Sequence, residues 1–159
     1  MHSKIIQISK EPIEEENYIS ESDYYESFVG SIADYVADLE DDEVESEKRD
    51  FISSLEKRGI VKGDNGNEFT IVNKTKFFEG LYEEFVSHVQ KLADATLEAF
   101  CNGKLDDAMY CLNTSYKNKY DIYIDDKGEW YGLVPLSEFM RSVNNGETFY
   151  LGGAVDYHA

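Results

Sequence analysis

Between residues 11 and 47 this chain carries 15 acidic side chains and not one lysine or arginine. A stretch of that kind cannot neutralise itself. Whatever it folds into must keep its carboxylates in water or meet cations from elsewhere in the chain. Nor is it a disordered acidic tail, because aromatic and aliphatic residues such as Ile19, Tyr24, Phe28 and Val36 are interleaved with the acids and supply apolar surface for a core.

The balance reverses over residues 48–76, where seven basic residues (Lys48, Arg49, Lys57, Arg58, Lys62, Lys74, Lys76) face four acidic ones. Beyond residue 76 acids lead again, 14 against six, and the net charge of the 159 residues is −18. At that charge the far field repels polyanions, so direct nucleic-acid binding is disfavoured for the molecule as a whole, as is adhesion to an anionic membrane. The 42% apolar and 14% aromatic content suffices to offset chain entropy in one domain of this length. No run approaches the roughly 18 apolar residues that span a bilayer, and residues 1–9 do not read as a secretory signal. Two cysteines ten residues apart, Cys101 and Cys111, make neither a disulfide framework nor, with His2, His88 and His158, a zinc spacing. Both lie in apolar, helical-looking segments where a thiol acts as a small hydrophobe. A cytoplasmic protein with no cofactor and no metal is expected.

Residues 4–9 (KIIQIS) predict a strand. Tyr25, Phe28, Val29, Ile32, Val36 and Leu39 recur at steps of three and four, predicting a helix over about 23–39 with Asp23, Glu26, Asp34 and Asp38 on its outer face. A second helix follows over about 45–58, with Phe51, Ile52 and Leu55 inward and Gly59 at its end. The hairpin signal Asn65-Gly66 separates residues 60–61 from 69–72. A long helix over about 75–100 and a shorter one over 105–116 come next. Strands are expected at 120–124, 130–134 and 148–151, the last extending through 154–157, with a short helix from 135 to 143. Gly152-Gly153 marks a bulge or a close backbone approach. The expected fold is a single α+β domain over residues 1–159, with one long helix packed against short antiparallel, hairpin-type strands. Within it an acidic helical part (about 11–58) precedes the hairpin and long helix (about 59–101) and a sheet-rich part (about 105–159).

Three constellations carry candidate chemistry. On the acidic segment, carboxylates at helical intervals would imitate a phosphate track, and the run Asp41-Asp42-Glu43 follows directly. The helix ending at Lys57-Arg58, with its glycine-tipped hairpin and Lys62, resembles over about 30 residues the helix-plus-wing end of a winged-helix domain. That resemblance implies groove contact by the helix and backbone contact by the wing, although Asp50 and Glu56 share the helix. The loops at 64–68 and 125–129 lack the ligand positions of a calcium loop and read as hairpin turns. His88, four residues after Glu84, reads as a local helix pair, and His158 as an exposed terminal histidine. In the aromatic C-terminal sheet, Tyr123 shares a strand face with Asp121 and Asp125 and is expected to be exposed. No elbow, phosphate loop or metal-protease motif is present, and no catalytic residue is assigned.

The function expected from these features is non-enzymatic regulation through contact with a basic, nucleic-acid-handling protein, through Asp23, Glu26, Asp34, Asp38, Asp41, Asp42 and Glu43. By analogy with small acidic antagonists of defence systems, a DNA-mimic or anti-defence role fits. The alternatives are a winged-helix-like nucleic-acid-binding regulator using Lys57, Arg58 and Lys62, and a small ligand-binding module or enzyme.

Overall fold

The structure, a computed structural model, describes residues 2–64, 66–117 and 121–159. Its frame is a seven-stranded mixed sheet made of β1 (His2–Ser9), β2 (Tyr35–Asp38), β3 (Val61–Asp64), β4 (Glu68–Ile71), β5 (Tyr123–Asp125), β6 (Leu133–Pro135) and β7 (Thr148–His158). The order across it is β3-β4-β7-β1-β5-β6, with β2 also on β7. Strand β7 pairs antiparallel with β1 along one edge, and its other edge is divided between β4 at residues 148–150 and β2 at residues 155–158. The single parallel pair is β1 with β5; the rest are antiparallel, as expected.

Both faces of the sheet are covered, because neighbouring strand residues point to opposite sides. On one face Ile6, Ile8, Ile124, Phe149 and Leu151 meet α1 (Asp41–Lys57), through Phe51, Ile52 and Leu55, and α5 (Leu136–Ser142), through Leu136, Phe139 and Met140. On the other, Ile5, Tyr123, Val155 and Tyr157 meet Ile19, Tyr24, Phe28 and Ala33 from the acidic segment. Tyr123 is therefore only 2% exposed, contrary to the expectation from its strand face. Its ring packs edge-on against Phe28 and Tyr157.

The predicted helix over 23–39 is not formed. Short 3-10 turns at Glu15–Asn17 and Glu21–Asp23 lead through further turns into β2. The physical reason lies at Gly30, whose φ of +84° breaks a right-handed helix and closes a turn through its N–H to the Ala33 carbonyl (2.8 Å). A row of carboxylates at helical spacing is consequently absent there. Farther on, α1 starts earlier than expected, since Glu40 and Glu43 form a capping box and Asp41, Asp42 and Glu43 occupy the first turn, where the helix dipole favours them.

The expected long helix is two. α2 (Lys74–Ala93) stops at Asp94, whose carboxylate accepts from Gln90 Nε2 (2.9 Å), and Thr96 then caps α3 (Leu97–Cys101) by accepting from the Ala99 N–H (3.1 Å). α4 (Asp106–Lys117) returns antiparallel along α2. Asn65, of the expected hairpin turn, and Tyr120, of an expected strand, lie outside the described residues. Among the described residues no helix is long and apolar enough to cross a membrane.

Candidate partner-binding cleft

Division of the β7 edge leaves residues 151–154 between β4 and β2, and the strand bulges there. Register slips between Ile6↔Ala154 and Ile8↔Leu151, so Gly152 and Gly153 both face Gln7. Gln7 is buried and acts as a staple. Its Oε1 accepts from the Ile19 N–H (3.1 Å) and the Gly153 N–H (2.9 Å), while Nε2 donates to the Asn17 carbonyl (3.0 Å). The glycines make room for this. A Cβ on Gly152 would collide with Gln7 Oε1, and one on Gly153 would come within 2.9 Å of Tyr18 Cβ. The two-glycine signal in the sequence thus marks a close backbone approach.

The notch beside the bulge opens into a cleft of about 410 Å³. Ile19, Leu39, Val44 and Ala154 contribute its apolar lining, and Glu15, Asp38, Asp41 and Glu45 its carboxylates. Asp38 is placed by the end of β2, where its Oδ1 accepts from the Glu21 N–H (2.6 Å). Asp41 and Glu45 sit one turn apart on α1. Glu45 is held by Lys48, which is 1% exposed, donates to Glu45 Oε1 (2.7 Å) and places Nζ 5.5 Å from the Tyr18 ring centre. No lysine, arginine or histidine among the described residues pairs with Glu15, Asp38 or Asp41. The cleft therefore combines apolar walls with three carboxylates that no cation among the described residues pairs, a combination suited to the alkyl stem and charged head of a lysine or arginine.

Of the residues expected from the sequence, Asp38 and Asp41 line this cleft. Asp23 is engaged in a capping box, accepting from the Ser20 N–H (2.9 Å), and Lys127 Nζ lies 3.8 Å away. Asp34 is drawn to the far end of the sheet by His158 Nδ1 (3.1 Å), and His158 stacks on Tyr35 with the rings 7° from parallel, so this histidine is neither isolated nor idle. Glu26 and Asp42 are exposed outside the cleft, and Glu43 is occupied by the capping box. Sequence reasoning had not assigned Glu15, Glu45 or Lys48 to the site.

The basic constellation is dispersed. Arg58 turns back over Phe77, its guanidinium carbon 5.6 Å from the ring centre and Nη2 donating to the Phe77 carbonyl (3.2 Å). Glu56 accepts from the Gly63 N–H (2.8 Å), and Lys57 and Lys62 are exposed. Strand β4 of the hairpin pairs with β7 inside the sheet.

At the other end of the acidic segment, Asp125 accepts from the buried Tyr24 hydroxyl (2.7 Å). Burial, followed by the Asp125 charge, pushes the Tyr24 phenol well above its ordinary value. Asp126, also buried, accepts from the backbone N–H groups of Gly128, Trp130, Tyr131 and Gly132 at 2.6 to 3.0 Å, so the β5–β6 connection is a hairpin folded around a carboxylate. Cys101 and Cys111 are both exposed, on helices that lie away from the core. His88 stands 3.6 Å from Glu84 as the local pair expected. Among the described residues no three metal-ligating side chains converge. In comparison with known proteins, no family model, no curated protein and no solved structure matches this chain.

Proposed function

We propose that this protein is a non-enzymatic regulatory protein that binds a basic, nucleic-acid-handling partner by accepting a lysine or arginine side chain in the cleft beside the β7 bulge. The observation that carries the reading is the pairing of apolar walls with the carboxylates of Glu15, Asp38 and Asp41, which no cation among the described residues pairs. The remaining acids, Asp23, Glu26, Asp34, Asp42 and Glu43, add to the molecule's long-range attraction for a cationic surface, which is worth more in encounter rate than in affinity. The decoy role follows as competition for a surface that otherwise meets phosphates. It does not need a phosphate-spaced helix.

The test is capture from the native cell at low salt, with elution in salt steps. The expected client is a basic protein released steeply as salt rises, with capture falling about ten-fold or more when Asp38→Asn and Asp41→Asn are combined. Capture that ignores both salt and the two substitutions overturns the reading.

A further inference from the structure

The helical hairpin α2–α4 carries a second surface, independent of the cleft. Of the 27 buried apolar residues among those described, only Phe77 comes from residues 74–117, whereas eight of the 12 large apolar residues left exposed do. Their arrangement is ordered. On α2, Leu81, Phe85, His88 and Leu92 are half-buried towards α4, and Tyr82, Val86 and Val89 stand beside them, rotated by roughly 80° at 100° per residue. On α4, Ala108 and Leu112 face α2, and Met109 and Tyr116 are rotated by a similar angle, roughly 80°. Because the two helices run antiparallel, both rotations fall on the same side of the hairpin. Tyr82 and Tyr116 accordingly line one cavity of about 170 Å³ at its base, with Leu81, Phe85, Ser115 and Arg141. The result is an apolar groove about two helical turns long, roughly 10 Å.

Charge selects what can lie in it. Three of the five residues that line the groove have an acid three positions earlier, hence adjacent on the helix surface: Glu79 before Tyr82, Glu83 before Val86 and Asp106 before Met109. A second copy of this chain would set the same acidic borders against each other. We propose that the groove docks a cationic amphipathic helix of a partner protein, its apolar face between Tyr82–Val86–Val89 and Met109–Tyr116, and its lysines or arginines over Glu79, Glu83 and Asp106.

The probe is a synthetic Lys/Leu peptide of about 18 residues patterned as an amphipathic helix, titrated by fluorescence anisotropy beside a scramble of equal charge and a Glu/Leu counterpart. The patterned peptide should bind about ten-fold more tightly than the scramble, and the Glu/Leu peptide should not bind. Combining Val86→Ser with Met109→Ser should weaken binding about ten-fold, and because both positions are exposed the fold is not at risk. Combining Asp38→Asn with Asp41→Asn should leave the preference for the patterned peptide over the scramble unchanged, which separates this surface from the cleft; loss of that preference overturns the proposal. Equal binding of the scramble, or indifference to the serine pair, overturns the proposal. So does sedimentation of the unmodified protein as a dimer that the serine pair converts to monomer, since a second copy would then be the occupant.

Discussion

The sheet body and the α2–α4 hairpin are both rich in apolar residues and use them in opposite ways. In the body, two layers lie against one sheet, so nearly every strand residue meets a neighbour, and the polar groups caught inside, Gln7 and Asp126, are hydrogen-bonded several times over. The hairpin is two helices with no third layer. Among the described residues its anchor is at one end, where Lys74 Nζ donates to the Val143 carbonyl at the end of α5 (2.6 Å) and Arg141 donates to the Tyr116 carbonyl (2.7 Å) while lying over the Phe78 and Tyr116 rings. The difference teaches that apolar content alone does not place a residue in a core. A helix pair buries one stripe per helix, and the next stripe round stays in water unless another element arrives.

The sharpest way to break this comparison is a matched pair of truncations. Phe139→Ala, from a fully buried ring, should cost about 4 kcal/mol in urea unfolding. Phe100→Ala, from a ring 71% exposed on α3, should change stability by no more than about 0.5 kcal/mol. Comparable losses would show that the hairpin is as well packed as the body.

Next in size is Asp126→Ala. It leaves four backbone N–H groups without their acceptor, those of Tyr131 and Gly132 half-buried, and should cost about 3 kcal/mol, with a lowered midpoint of thermal unfolding. A change below about 1 kcal/mol would mean that the β5–β6 connection is held by its strands alone.

The smallest effect concerns pH. Glu147 is held below its ordinary value of 4.5, first by the Asn144 backbone N–H and also by Lys10. A carboxylate stabilised in the native state contributes fully above pH 4.5, and the contribution disappears as pH falls through the lower folded value. Partial exposure screens it, so Glu147→Gln should cost about 0.5 kcal/mol at neutral pH and nothing at strongly acid pH, read from paired denaturation curves. A cost that persists in acid would assign Glu147 a packing role instead.

The α+β class, β1, α1, the β3–β4 hairpin and the helices of the hairpin were legible in the sequence because each rests on local periodicity with a recognisable cap or turn. The acidic segment was not. Its periodic residues suggest a helix, but those buried are Tyr24, Phe28, Ala33 and Val36, at steps of four, five and three, since they follow a sheet surface rather than a helix axis. Gly30 was the available warning. Tyr123 was misplaced for the same reason: alternation says which residues share a face, and only the tertiary fold says that both faces are covered. The cleft was half legible. Gly152-Gly153 announced a close approach, whereas the meeting of Glu15, Asp38 and Glu45 depends on where β2 and α1 dock.

The position of β7 in the chain has a kinetic consequence. It lies C-terminal to β1, β2 and β4, all of which it pairs, and His2 meets His158 across almost the whole chain. During synthesis none of those ladders can close until residues 148–158 have left the ribosome. Both faces of β1 and the apolar side of the acidic segment must wait without their central partner. Closure over such separations is entropically costly at the barrier, so folding of the body should be slow and late, while α2 and α4, whose contacts are local, can pair as soon as they emerge.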